Sequence, residues 1–181
     1  MNLRKARLSD AEAIHQVVNH FAQKGLMLPK RLVEVFEQIR EFTIAESDDG
    51  ELLGCGALRL MWYDLAEVRS LAIHEKAHGT GLGRRITEAL IEEARELELG
   101  RVFALTYQVG FFEKLGFEVV SKNIFPQKVW LDCQACPKQD CCDEIAVLRV
   151  LDPSKVLPAS ELLEEPISGR RQIVLPVRAS Q

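Results

Sequence analysis

The sequence predicts a mixed α/β fold in a single domain, and three observations carry that prediction. Short apolar runs bounded by turn residues recur along the chain, as strands do. Two longer stretches repeat their apolar residues every three to four positions, as amphipathic helices do. Strand-like and helical stretches are interspersed, which suits a sheet flanked by helices. A chain of 181 residues that is 47% hydrophobic is long enough for one well-buried core and short for two.

In chain order, Ser9-Asp10-Ala11-Glu12 has capping-box spacing, and Ile14, Val17, Val18 and Phe21 follow at helical intervals up to Gly25. A shorter helix is expected around Leu32, Phe36 and Ile39, after Pro29. The segments FTIAE and ELLGCGALRLMW, joined by SDDG, read as a hairpin, and EVRSLAI as a further strand. Ile86, Ala89, Leu90, Ala94 and Leu97 set the inner face of a second long helix, with Gly100 as its stop. RVFALTY is then a strand, VGFFEKLGFEVV a short helix turning at Gly116 into a strand, and IAVLRVL the last strand. Residues 1–151 form the expected domain. Residues 152–181, with four prolines and one strand-capable stretch, QIVLPV, form an extension that is a candidate for docking on its own body or for holding a homodimer.

A net charge of −4 without a dense Lys/Arg run argues against a nucleic-acid-binding protein and favours a small-molecule substrate. The N-terminus lacks the apolar core of a signal peptide, and no apolar run approaches the ~20 residues needed to cross a bilayer. No membrane association and a cytoplasmic location, with reduced cysteines, are expected.

The stretch HEKAHGTGLG, His74 to Gly83, admits two incompatible readings. HEKAH matches the H-E-x-x-H zinc-peptidase signature, which requires a helix. HGTGLG suits a glycine-punctuated loop opening a helix, where backbone N–H groups cradle phosphates. A helix through Gly79, Gly81 and Gly83 would cost ~1 kcal/mol per glycine relative to alanine. In a loop the same glycines supply positive φ and close backbone approach, so the loop is preferred over the metal site.

The order of EVRSLAI, HGTGLG, amphipathic helix, RVFALTY and FFEKLGF resembles the GNAT superfamily of acetyl-CoA-dependent N-acetyltransferases. The resemblance implies a central twisted mixed sheet flanked by helices, acetyl-CoA as co-substrate and no metal. It places the pyrophosphate loop pattern on His78, Gly81 and Gly83, with Gly79, Thr80, Leu82 and Arg84 alongside. It also implies that Leu71, Ala72 and Ile73 hydrogen-bond the pantetheine arm and polarise the thioester carbonyl, and that Phe111 and Phe112 lie along the cofactor. Many GNAT enzymes carry a tyrosine acid where this chain has Phe112.

That departure, together with GLMLPKRLVEVFEQIREFTIAESD, AEVRSLAIH, VFALTYQVGFFEKLGF and KVWLDCQACPKQDCCDE, resembles the short single-domain N-acetylglutamate synthases. The match covers about residues 2 to 151. It implies acetyl transfer to the α-amino group of glutamate, the first step of arginine biosynthesis. Glu67 is then the candidate base, and Thr106 or Tyr107 the candidate acid for the leaving thiolate. Strand alternation puts those two on opposite faces, so one of them serves. Lys30, Arg31, Arg69 and Lys138 are candidates for the two carboxylates. A different amine acceptor, or a non-catalytic acetyl-CoA sensor, are the alternatives. Cys133, Cys136, Cys141 and Cys142 depart from the usual two-hook zinc spacing and read as reduced thiols lining a substrate-side loop, with a metal site or a redox-sensitive disulfide as the alternatives.

Overall fold

A computed structural model describes residues 1–125 and 142–157. Seven strands form one sheet: β1 (Asn2–Lys5), β2 (Phe42–Glu46), β3 (Leu52–Trp62), β4 (Leu65–Ile73), β5 (Arg101–Thr106), β6 (Glu118–Val120) and β7 (Ile145–Val150). Their order is β1-β2-β3-β4-β5-β7-β6. All neighbours pair antiparallel except β4 and β5, which are parallel because a helix, α3 (Leu82–Glu96), crosses between them. The other helices are α1 (Ala11–Gln23), α2 (Leu32–Glu37) and α4 (Val109–Glu113). The expected mixed sheet with flanking helices is the observed one.

The sheet is covered on both faces. On one, α3 buries Leu82, Ile86, Leu90, Ile91 and Ala94 against Ala66, Val68, Val102 and Ala104. On the other, Ile14, Val17, Val18 and Phe21 of α1 and Val35 of α2 pack on Phe42, Ile44, Cys55 and Ala57. Cys55 is a core residue, its thiol pushed up to about 12 by burial.

Tertiary contacts moved several local expectations. The α1 entry is a 3-10 turn, Leu8–Asp10, in which the Asp10 carboxylate accepts the Arg7 N–H at 2.7 Å and pairs with Arg4. That arrangement replaces the expected Ser9–Glu12 box. In α2, Val35 is buried while Phe36 is 41% exposed. Helix α3 ends at Glu96, with Glu98 in the left-handed region (φ 59) and the Leu99 N–H bonded to the Ala94 carbonyl. Gly100 is not the helix stop. A Cβ there would come within 2.8 Å of the Lys155 backbone, so the glycine admits the chain that follows β7. Of the expected extension, residues 152–157 are described: Asp152 caps a 3-10 turn, Pro153–Lys155, and the Leu157 N–H bonds Asp64. QIVLPV, Lys138, Cys133, Cys136 and Cys141 lie outside the described residues.

Candidate active site

Strands β4 and β5 pair only through Leu65, Ala66 and Glu67 with Arg101, Val102 and Phe103, then part, although both continue toward the same end of the sheet. A bulge helps to separate them. Ser70 adopts φ 52, and the register against β3 slips between Cys55 and Ala57. The extra residue inverts the alternation of β4. Glu67 and Arg69 share the α1/α2 face, yet Ala72 packs on that face while Leu71 and Ile73 join the α3 face. Past Glu67, the edge of β4 turned away from β3 therefore carries backbone groups that β5 does not bond, a template for an extended amide-bearing chain such as pantetheine.

The loop after β4 is not α-helical. Glu75–Ala77 is a single 3-10 turn, His78 is extended, and Gly79 and Gly81 have φ of 75 and 78. The first bond of α3 runs from the Arg85 N–H to the Gly81 carbonyl at 3.1 Å. The amides of Leu82, Gly83 and Arg84 are the orphan donors of a helix start, reinforced by its partial positive charge. Nothing lies within 4 Å of a Cβ built on Gly79 or Gly81, so a bulky anion can approach that backbone closely. Thr80 turns its hydroxyl inward to the Ala77 carbonyl, 2.7 Å, and Arg84 pairs with Glu88 on the helix surface. Leu82 is core.

His78 has a role that the sequence did not disclose. Its Nε2 lies 2.8 Å from the Ile73 carbonyl, which requires the proton on Nε2, and its ring stacks on Phe21 of α1 at 6.0 Å. It anchors the loop to the strand end. His74 and His78 are not one helical turn apart, and no group of three His, Cys, Asp or Glu among the described residues could hold a metal. Phe111 lies against Gly83, its ring 3.6 Å from where a Cβ would stand. Phe112 packs edge-on between Phe111 and Phe117 and is buried.

The opposite face of β4 carries charged side chains. Glu67, 4% exposed, sits where β4 and β5 part. Arg69 Nη1 lies 3.5 Å from its Oε2, and Arg59 is its cross-strand partner on β3. Lys30, 8% exposed, enters from the loop before α2. Asn19 of α1 bonds both the N–H and the carbonyl of Lys30, and Lys30 Nζ donates to Gln38 at 2.7 Å. Burial, with repulsion from Arg69, lowers the Lys30 ammonium to about 8. Glu41 completes the cluster. Burial raises its carboxyl above the ordinary value, against the pull of Arg59, Arg69 and Lys30.

The structure thus brings Lys30, Glu67 and Arg69 together and adds Arg59 and Glu41, which sequence reasoning missed. An arginine within the apolar run ALRLM was the available signal for Arg59. Arg31 stands apart. Its exposed guanidinium pairs with Glu34 at 3.2 Å, and its backbone N–H donates to the same carboxylate at the start of α2. Thr106, buried at the end of β5, accepts the Gln108 N–H at 2.8 Å, so its own proton is available to another acceptor. Tyr107 directs its hydroxyl to Asp143 at 2.7 Å.

Known proteins resemble this chain in sequence and in fold. The model of the acetyltransferase (GNAT) family matches residues 12–117. An uncharacterized N-acetyltransferase of Chlorobaculum tepidum is 40% identical over 82% of this chain and 96% of its own. The amino-acid acetyltransferase of Mycobacterium tuberculosis is 39% identical over 86% of this chain and 87% of its own. Among solved structures, a Mycobacterium tuberculosis protein crystallised with CoA superposes with a TM-score of 0.72 at 34% identity, covering 83% of this chain and 99% of that one. The N-acetylglutamate synthase of Neisseria gonorrhoeae, complexed with coenzyme A and N-acetyl-glutamate, gives 0.73 at 27% identity, covering 83% of this chain and 35% of that one. Among the described residues no helix is long and apolar enough to cross a membrane. With a parted strand pair, a glycine-opened helix start and these relatives, the chain belongs to the GNAT family and is an acetyl-CoA-dependent N-acetyltransferase.

Proposed function

We propose that the acceptor is the α-amino group of glutamate and the product N-acetylglutamate. The observation that carries this reading is the charge cluster beside the parted strands: one buried carboxylate at the divergence, with Lys30, Arg59 and Arg69 around it. A free amino acid presents a protonated amine, which must lose a proton before it can attack. Glu67, held near Arg69, is the group that accepts it, directly or through one water. The neutral nitrogen adds to the thioester carbonyl, whose developing negative charge meets a backbone N–H in the Leu71–Ile73 segment. Collapse breaks the C–S bond, and the second amine proton reaches the leaving thiolate through the Thr106 hydroxyl at the end of β5, which gives one proton to sulfur and takes one from nitrogen. Tyr107, engaged with Asp143, stands aside.

The cations suit the acceptor's two carboxylates, since arginine pairs with them through two parallel bonds. Lys138 joins this set by the family likeness, as does an assignment to arginine biosynthesis in the cytoplasm. The naming of the Mycobacterium tuberculosis relative as an amino-acid acetyltransferase supports an amino-acid acceptor. Thiol release from acetyl-CoA, measured across glutamate, glutamine, aspartate, lysine and a polyamine, tests the reading. Glutamate should give the highest kcat/KM. A polyamine or neutral amino acid turning over faster would transfer the site to another acceptor, and CoA binding without turnover would make it a sensor.

A further inference from the structure

A buried ammonium is costly unless its lost hydration is compensated, and a paired carboxylate is the usual compensation. Lys30, 8% exposed, is held differently. Among the described residues the partner of its Nζ is a neutral one, the amide oxygen of Gln38 at 2.7 Å. An ammonium has three donors, so two are left for other acceptors. The charged groups that face Lys30 are Arg69 on β4, Glu41 in the turn before β2, Glu34 on α2 and Arg59 on β3; α1 meets it through the neutral Asn19. Neither carboxylate bonds the ammonium. Glu34 accepts the N–H and the guanidinium of Arg31, and Glu41 Oε2 has no donor.

Both ends of this contact are fixed. Asn19 donates from Nδ2 to the Lys30 carbonyl at 2.8 Å and accepts the Lys30 N–H at 3.2 Å, and the same Nδ2 donates to the His15 carbonyl of α1. Gln38 closes α2: its N–H bonds the Glu34 carbonyl at 3.0 Å, and its carbonyl accepts the Glu41 N–H at 2.9 Å. Buried Val35 and Ile39, on either side of it, seat that turn in the core beneath α1. An amide oxygen in such a place directs a cation, whereas a carboxylate would neutralise it.

We propose that Gln38 is a positioning residue, whose amide aims the Lys30 ammonium at a carboxylate of the acceptor and leaves its charge uncancelled. This rests on the glutamate reading above. It gives Gln38 no contact with the reacting atoms and makes it a determinant of acceptor affinity. The lowered pKa of Lys30 then makes the contact visible, because anything that favours or disfavours the ammonium moves the pH at which acceptor binding fails.

Two substitutions test it, each read as KM for glutamate on both sides of about pH 8, with folding followed by thermal unfolding. Gln38→Met removes the acceptor oxygen and changes no charge. KM at neutral pH should rise roughly tenfold, the usual worth of a hydrogen bond to a charged group. Its alkaline rise should begin at a lower pH than in wild type, because the ammonium has lost a bond that favours it. Gln38→Glu keeps the bond and adds a negative charge. KM should rise by roughly 10- to 100-fold as the new pair cancels the cation, and its alkaline rise should begin at a higher pH. KM for acetyl-CoA should stay constant in both.

A residue that merely supports α2 would lower stability without moving that pH, so opposite displacements in the two variants separate the roles. In a Lys30→Met background neither substitution should move the profile, and movement there overturns the proposal. So do unmoved profiles, or displacements in one direction, in the folded variants. If Gln38→Met does not fold, Gln38→Glu carries the test, and an onset no higher than in wild type overturns the proposal. A wild type that releases CoA with another amine and not with glutamate overturns the acceptor reading and this inference with it. A glutamate-dependent wild type with unmoved variant profiles overturns this inference alone.

Discussion

The two sides of β4 solve opposite problems. Toward α3, the strand end and the loop offer backbone: amides at a helix start, positive-φ glycines, and apolar Leu71, Ile73 and Phe111. Toward α1 and α2 it offers side-chain charge: Glu67, Arg69, and Arg59, Lys30 and Glu41 brought from other elements. A coenzyme that is the same in every turnover can be held by peptide dipoles, which any sequence supplies once the φ angles are allowed. An acceptor that must be told from its neighbours needs charges at chosen positions, and only side chains supply those. The Ser70 bulge joins the two halves, because without the inversion of alternation Leu71 and Ile73 would face the charged cluster.

The comparison can be broken most sharply at Glu67. Glu67→Gln should lower kcat by about 10²- to 10⁴-fold, the usual worth of a general base, with acetyl-CoA binding intact by calorimetry. Retained turnover would remove the base from the charged side. Lys30→Met comes next. It should raise KM for glutamate by roughly 10- to 100-fold, in the range lost when a buried charged hydrogen bond goes. Lys30 has a lowered pKa, so it is cationic below about 8 and neutral above. Wild-type KM for glutamate should therefore rise as pH passes about 8, and that rise should vanish in Lys30→Met.

On the backbone side, Gly81→Val forces a β-branched residue into φ 78 at a cost of about 1–2 kcal/mol. It should raise KM for acetyl-CoA by roughly tenfold and leave KM for glutamate unmoved. A change in both constants would show that the two sides are not separable. The smallest effect is expected at Arg31. Its exposed pair with Glu34 is worth at most about 1 kcal/mol, so Arg31→Ala should alter KM for glutamate less than about twofold. A large effect would return Arg31 to the acceptor set.

Legibility in the sequence followed the same division. The helix faces of α1 and of α3 up to Ala94, the hairpin, the glycine loop and the last strands are local patterns, and they appear where periodicity and turn residues put them; Leu97, expected on the inner face, lies past the end of α3 and is exposed. Boundaries drifted where a distant group intervened, as when Arg4 drew Asp10 into a 3-10 entry or the chain after β7 required Gly100. The glycine loop could be read because it is a run of consecutive residues. The charged cluster could be read only in part: Glu67 and Arg69 are adjacent positions on one strand face, whereas Arg59 meets them through sheet pairing and Glu41 from the turn before β2.

The sequence by itself determined the elements, the glycine positions that permit left-handed backbone, and the missing hydroxyl at Phe112, because each is a property of residues near one another in the chain. Tertiary structure alone decided that Ser70 bulges, that His78 clamps the Ile73 carbonyl, that Arg31 turns outward, and that five ionisable groups from four segments form one cluster. Those outcomes depend on strand register and burial, in which the energy of each side chain is set by neighbours far away in sequence.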